Sequence, residues 1–529
     1  MNIAGGGIGA SPNPVKYWGG ARSAPIWWIA AVLTLVIVGV AHAWCSAPFP
    51  NDVDPMNFVA ALRRFDVLDD APHAPGYPLF VGAARVARVL TGEMHAYQGV
   101  NLLCVLLMGA MGFAALASLG RPALGLAWCV ACTTHPLVWA ATIVPECYVT
   151  DAAAGTCIVA IAVLLRRRSD LVAALGVAVV VLVQGLLRPV SAVMLQPLAV
   201  GACALLAVAP SLRRALLGFV ASGLVVAVAY ALVVACAGGA EAYGEAARTV
   251  MLASFRASSI LAGAPLQAHA AMVAKYLVWL ALLGGVPVLL ALLARWAPRR
   301  GGDSRTPGEA ADPTLGWRWS VVGLLWFVPP AAVYLLFYYL KPTYHLVYLP
   351  LLIGVGVVAT WRLVGRRPGA LVAIGMGVGA VQLAFVLVGG RVGLPEQIHR
   401  LTLAGLHTPA GEVGEFLRCA EALPEHAVIL ILPGRPLPGN VRAVRLVRRA
   451  VDVLELDRGD ASSDQGYRAI SRCNPERWVP EVLSPAMDSV PPGCDEVLIV
   501  GRREGALTLV RSVVPADRTL TAVVHAAGW

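Results

Sequence analysis

Charge is scarce in this 529-residue chain: Asp, Glu, Lys and Arg make up 14% of it, against about 25% in an ordinary globular domain. With 58% hydrophobic residues and a mean hydropathy of +0.71, the chain is neither a soluble enzyme nor a disordered tail. Lysine is almost missing, with Lys16, Lys275 and Lys341 the only three. The net charge of +10 therefore comes from arginines, and these cluster between apolar runs instead of along one polar face. That distribution excludes nucleic-acid binding, which needs a continuous basic surface. Cysteines are scattered, most of them inside apolar runs where they act as small hydrophobes. Cys129 and Cys132 form a C-x-x-C without a partner pair, so structural zinc is excluded. Cys419, Cys473 and Cys494 lie in the polar C-terminal part and leave room for one disulfide and an odd thiol.

What is abundant is long apolar sequence. A bilayer core needs about 20 apolar residues per helix. Eleven runs meet that: 26–44, 99–119, 123–142, 147–165, 170–187, 189–209, 214–237, 269–295, 319–340, 345–364 and 369–389. The fold class is an all-α polytopic membrane protein with a small C-terminal α/β domain outside the membrane. The first run follows Lys16 and Arg22 and ends in Ala41-His42-Ala43, which imitates a signal-peptidase site, but it is long for a signal peptide and reads as an uncleaved anchor. With residues 1–25 cytoplasmic, the basic connections at Arg121, Arg166 to Arg168, Arg213-Arg214, Arg295 to Arg305 and Arg362 to Arg367 all fall inside. The first outer loop, 45–97, stays on one side only if 77–91 lies at the surface as an amphipathic helix, which Arg85 and Arg88 favour. The membrane domain then spans 26–389 and the outer domain 390–529. Within that domain HAVILILP, VRAVRLV, DEVLIVG, LTLVRSVV and LTAVVHA read as strands, and 408–422 as a helix. The stretch 296–316 reads as a flexible inside linker.

The first outer loop carries the densest chemistry. Asp52 and Asp54 stand two apart, Pro55 sits at a helix start, and MNFVAALRRF reads as a short amphipathic helix. His73, Pro75, Gly76, Tyr77 and Pro78 form a rigid turn into the next helix. On the same side lie Glu146 and Asp151 at the mouth of the fourth run, Arg188-Pro189 at a tight connection, and Lys341, Tyr344 and His345 in KPTYH. Glu241, Glu245, Arg248 and Arg256 fall at helical spacings in the 238–268 segment and read as a solvated surface helix. Carboxylates at helix ends suit proton abstraction or a hard cation. Arginine's planar fork suits phosphate, although Arg188 at a turn also suits snorkelling to lipid headgroups.

The order Asp-x-Asp, surface helix, H-x-P-G-Y-P-L-F turn, surface helix and Asn101-Leu102-Leu103 resembles the GT-C superfamily of membrane glycosyltransferases over residues 25–200. Within it, the chain looks most like the protein O-mannosyltransferase-related subgroup with a His-Pro-Pro-Gly-Tyr-Pro motif; Ala74 replaces the first proline of that pair. Glu146-Cys147-Tyr148 matches an acidic-x-Tyr opening of the fourth span. The resemblance implies an inverting transfer of a sugar from a polyprenyl-phosphate donor to a hydroxyl of a protein, glycan or lipid acceptor. It places this at the outer face of a bacterial inner membrane, with the C-terminal domain periplasmic. It implies Asp52 or Asp54 as the base, with Glu146 beside it. His73, Tyr77, Arg188, Lys341, Tyr344 and His345 would bind the substrate. No cofactor is required; a divalent ion such as Mg or Mn, held by Asp52, Asp54 and Glu146, is open because relatives differ. The competing classes are a secondary transporter or lipid flippase, against which the lack of related halves speaks, and a non-catalytic assembly protein.

Overall fold

The computed structural model describes residues 24–248, 253–296, 313–339 and 341–424, and further on 427–433, 443, 446–447, 452–458, 467–474 and 477–529. Lys16, Arg22, the linker residues 297–312 and most of VRAVRLV lie outside the described residues. Each apolar run forms helix. The first part holds α1 (Ala24–Trp44), α2 (Val53–Arg63), α3 (Pro78–Thr91), α4 (Ala96–Ser118), α5 (Pro122–Thr133) and α6 (Pro136–Thr142). There follow α7 (Val149–Leu164), α8 (Asp170–Leu187), α9 (Pro189–Leu205), α10 (Leu212–Cys236), and the short α11 (Ala240–Ala247) and α12 (Ala253–Ser258). The remainder of the bundle is α13 (Leu266–Trp296), α14 (Pro313–Leu336), α15 (Leu349–Leu363) and α16 (Pro368–Val388).

Among the described residues seven of these, α1, α4, α8, α10, α13, α14 and α16, are long and apolar enough to cross a membrane. The pair α5 and α6 makes one more span, bent by 57°. The bend falls where Pro136 lacks an N–H and pushes His135 out of helical geometry, to φ −60° and ψ 130°. Apolar but shorter are α7, α9 and α15. Each of the eleven runs thus corresponds to a helix or bent pair, and the chain is a multi-pass membrane protein. Outward faces carry bare apolar side chains such as Ile37, Leu224 and Val286, as lipid contact demands. Inside, small residues let helices close up: Gly112 lies under Trp128 and Gly155 under Trp326. At one end of the bundle Arg166 and Arg214 tie the basic connections together, Arg166 donating to Ser118 O (3.2 Å) and Arg214 to Leu165 O (3.3 Å). Asp52, Glu146 and Lys341 gather at another place, among connections with few basic residues.

Beyond the bundle come a four-residue α17 (Glu396–His399) and α18 (Leu403–Glu421), which covers the expected 408–422 helix up to its C-cap Ala422 and begins five residues earlier. The strands are β1 (Val428–Ile431), β2 (Asp452–Arg458), β3 (Tyr467–Asn474), β4 (Arg477–Met487), β5 (Glu496–Arg503) and β6 (Ala506–Val513). They form one sheet in the order β4-β3-β2-β1-β5-β6. The central β1 runs parallel to β2 and β5; the outer pairings are antiparallel. LTAVVHA, expected as a strand, is instead helix α19 (Leu520–Ala526). Thr519 caps it by accepting the Ala522 N–H at 3.3 Å, and Leu520, Val523 and Val524 bury one face at helical spacing. The disulfide that the sequence left room for is absent between Cys419 and Cys494, both free thiols. They belong to apolar clusters on opposite faces of the sheet, Cys419 with α18 and Cys494 with α19. The side chain of Cys473 is outside the described residues.

One element departs from its expected setting. Read as an amphipathic surface helix, α2 is buried from Pro55 to Leu62 without a solvated face. Met56 and Val59 enter the apolar core of the C-terminal domain, with Phe416, Leu417, Ile429 and Val500. The opposite face, Phe58, Ala61 and Leu62, packs on Phe80 and Val81 of α3 and on Tyr97 and Val100 of α4. Amphipathicity is hidden because two different apolar surfaces hold the helix between them. α3 keeps its expected character, with Phe80, Val81 and Ala84 buried and Val86, Val89 and Leu90 74–90% exposed.

Candidate active site

Three carboxylates from distant parts of the chain meet one ammonium. Lys341 Nζ stands 2.8 Å from Glu146 Oε1, 2.9 Å from Asp54 Oδ2 and 3.4 Å from Asp52 Oδ2. The two aspartates differ in their local work. Asp52 is the N-cap of α2, its Oδ1 accepting the Val53 N–H at 2.8 Å, which satisfies one of the donors a helix start leaves open. Asp54 lies in the first turn, points inward and has less of its side chain exposed, 25% against 43% for Asp52.

Glu146 sits in the connection between α6 and α7, and its backbone is pinned from α4. Asn101 Nδ2 donates to Glu146 O (2.7 Å), Val144 O and Ala141 O (both 3.1 Å), and Gln98 Nε2 reaches Ile143 O (3.3 Å) and Ala47 O (3.0 Å). The sequence marked Asn101 only as the start of a motif; its work is to hold this connection. Lys341 begins a short 3-10 helix, Pro342–Val347, that enters α15.

Burial dominates the Glu146 carboxyl and pushes its pKa up; Lys341 pulls it back, and Asp54 and Asp52 add to the rise. For Lys341 burial disfavours the charge, but Asp54, Glu146 and Asp52 together outweigh it and hold the ammonium well above the usual lysine range.

The H-x-P-G-Y-P turn is placed against Asp54. Gly76 N donates to His73 O (3.1 Å), closing the turn, and Gly76 takes φ +105°, which a side chain rarely adopts. Tyr77 follows in the left-handed region at φ +52°, so its ring is directed back to hydrogen-bond His73 Nε2 through Oη at 3.2 Å. His73 Nδ1 is then 3.9 Å from Asp54 Oδ1, too far for a direct hydrogen bond.

A second polar layer lies behind the first. Arg188 at the α8–α9 junction pairs with Asp151 of α7, and both are buried. Gln184 Nε2 donates to the other Asp151 oxygen at 2.7 Å, and Arg188 NH1 to Ser191 Oγ at 3.0 Å. Snorkelling of Arg188 to headgroups is therefore overturned: a buried carboxylate on the neighbouring helix draws it inward. The Arg188 guanidinium lies 4.6 Å from the Tyr148 ring centre and 5.6 Å from that of Tyr344, and Tyr334 stacks on Tyr344 at 5.1 Å. Tyr148 also has Lys341 Nζ 6.0 Å from its ring centre, so it separates the two cations.

Of the sequence candidates, Asp52, Asp54, Glu146, His73, Tyr77 and Lys341 come together, and Tyr344 and Arg188 line the layer behind. His345 does not join them. It is fully buried among phenols, hydrogen-bonded through Nδ1 to Tyr348 and through Nε2 to Tyr339 (2.9 Å), while Tyr348 donates to Tyr276 (2.8 Å). Arg248 and Arg256, beside α11 and in α12, are exposed. Tyr148 was marked only as part of the acidic-x-Tyr match, without a role, and Tyr334 was missed, because a tyrosine in an apolar run carries no signal until its ring is seen against a cation. The three carboxylates do not fit a resident divalent ion, since the ammonium already occupies the point on which they converge. Among the described residues no group of His, Cys, Asp and Glu is arranged to hold a metal.

No protein-family model matches the sequence, and no curated protein does. The structure is similar to the crystal structure of ArnT from Cupriavidus metallidurans bound to undecaprenyl phosphate. The TM-score is 0.51 at 14% identity, over 83% of this chain and 87% of that one. It also matches the Archaeoglobus fulgidus oligosaccharyltransferase tethered with an acceptor peptide, with a TM-score of 0.43 at 10% identity, over 76% of this chain and 62% of that one. The first likeness establishes the fold: a GT-C-like helical membrane bundle followed by a small mixed domain.

Proposed function

We propose that the chain is a glycosyltransferase that moves a sugar from a polyprenyl-phosphate donor to an acceptor hydroxyl at the outer membrane face, with inversion. The observation that carries this reading is the cluster of Asp52, Asp54, Glu146 and Lys341, set at helix ends in a fold shared with a protein whose structure holds undecaprenyl phosphate. Asp54 is the general base: Asp52 is engaged in capping α2, whereas Asp54 faces both Lys341 and the His73–Tyr77 turn. The acceptor O–H gives its proton to Asp54 as its oxygen bonds to the anomeric carbon. The bond from that carbon to the phosphate oxygen breaks, and the phosphate leaves with the electron pair.

Lys341 is the cation nearest that phosphate, and its longest contact, to Asp52 at 3.4 Å, is the one a phosphate oxygen would exchange for. Arg188, matched by Asp151, holds Tyr148 and Tyr344 in place behind it. The H-x-P-G-Y-P turn supports the O-mannosyltransferase-related subgroup, and the surroundings of Asp54 support the turn's part in substrate placement. A bacterial inner membrane with the C-terminal domain periplasmic agrees with the sorting of arginines between connections. The test is incubation of membranes with a panel of polyprenyl-phosphate sugars, comparing wild type with Asp54→Asn and Asp52→Asn. Asp54→Asn should lose on the order of 10²–10⁴ in transfer rate. Full turnover in Asp54→Asn would overturn the assignment of the base.

A further inference from the structure

Lys341 meets its surroundings the way a bound metal ion would. An ammonium has three N–H donors and no more, and three carboxylates stand at 2.8, 2.9 and 3.4 Å to receive them. They come from the helix cap and first turn of α2 and from the connection ahead of α7, separated from Lys341 by 195 residues or more along the chain. A divalent ion bound by the same oxygens would sit roughly 2.0–2.6 Å from each, in the volume that Nζ fills. Two cations cannot share that volume. Lysine is also the residue this chain avoids, with three copies in 529 residues, and one of them is here.

We infer that the Lys341 ammonium is the resident cation of the carboxylate cluster and takes the place of a divalent metal, so that the protein binds none there and works without one. The proposal deepens the glycosyltransferase reading and rests on it for the transfer arm only. The charge is tethered and always present: it fixes Asp54 and Glu146 without a metal to load, and its outermost contact, to Asp52, is the one open to exchange with a phosphate oxygen. Lys341 thus both positions Asp54 and Glu146 and offers its contact to Asp52 for exchange with the phosphate.

The inference predicts that removing the lysine side chain creates the metal site that the lysine now precludes. Purified full-length protein in detergent is compared as wild type, Lys341→Ala, which opens the volume, and Lys341→Met, which fills it without charge. Thermal unfolding is followed with and without millimolar Mn²⁺, an arm that needs no transfer activity and so separates this inference from the functional reading. Mn²⁺ should leave the Tm of wild type and Lys341→Met unmoved and raise that of Lys341→Ala, as a ligand that binds only the folded state does. In the transfer assay, EDTA should leave wild type within about twofold of its rate, and Lys341→Ala should lose on the order of 10²–10³, with about tenfold returned by Mn²⁺. Stabilisation of the wild type by Mn²⁺, loss of its transfer in EDTA, or a folded Lys341→Ala indifferent to Mn²⁺ would each overturn the inference. The wild-type arms decide it even where Lys341→Ala aggregates.

Discussion

Replacing Arg188 by Met separates two pictures of that arginine by several kcal/mol. In the structure Asp151 is fully buried, with one carboxylate oxygen receiving Gln184 Nε2 at 2.7 Å and the other paired with Arg188, itself 7% exposed. Methionine keeps much of the stem volume, so the loss is the guanidinium, its bond to Asp151 and its 3.0 Å bond to Ser191. Removing one partner of a buried ion pair leaves the other uncompensated and costs about 3–5 kcal/mol. An arginine snorkelling to headgroups would cost no more than an exposed pair, about 0–1 kcal/mol. Arg188→Met combined with Asp151→Asn should recover part of the loss, since the orphaned charge is gone, giving a coupling of about 2 kcal/mol. Reversible unfolding in mixed micelles, followed by tryptophan fluorescence, measures all four proteins of the cycle. A single Arg188→Met within about 0.5 kcal/mol of wild type, the ordinary range for a surface substitution, would refute the buried pair.

The remaining predictions concern the carboxylate cluster and the packing beneath it. Asp52→Ala should cost about 1 kcal/mol of stability through loss of the α2 cap, while Asp54→Asn, which weakens the pairing of Lys341, should remove transfer in protein that still unfolds cooperatively; thermal unfolding and the transfer assay read the split. Lys341, held above its ordinary value of 10.5 by its carboxylates despite burial, contributes stability that is complete below that value and fades as pH rises through the folded one. The Tm difference between wild type and Lys341→Met should therefore be flat from neutral pH up to 10.5 and narrow above it. Gly112→Ala would place a Cβ 2.0 Å from Trp128 Cζ3, and that indole is fixed by its 3.0 Å bond to Pro350 O. It should cost about 1–3 kcal/mol in unfolding measurements.

The membrane part of this fold was legible because hydropathy needs only local sequence: each expected run became helix, and even the bend at His135-Pro136 follows from proline's missing donor. The candidate site was legible by residue type and by its place at helix ends, but not by pairing. Nothing near Asp54 announces that its cation lies at Lys341, because that contact is made by the closing of the bundle. For Asp151 the sequence goes one step further, since an acid just inside the fourth span suits pairing with an arginine of a neighbouring helix; that the arginine is Arg188 is decided only when the helices meet. Errors arose where a pattern fits two periods. LTAVVHA has apolar residues at both strand and helix spacing, and the cap at Thr519 decided the outcome. The setting of α2 was invisible for another reason, since half of its surroundings come from residues 413–500.

The seat of α2 has a bearing on how the tail should be thought of. Asp54 is carried on a short rod clamped by two jaws, one made by α3 and the start of α4 and one made by the last quarter of the polypeptide. A shortened protein ending near Val388 would keep every charged group of the cluster yet strip Met56 and Val59 of their cover. Loss of turnover on such truncation would therefore speak first to the alignment of the rod, and acceptor recognition by the tail has to be sought with substitutions on its far side.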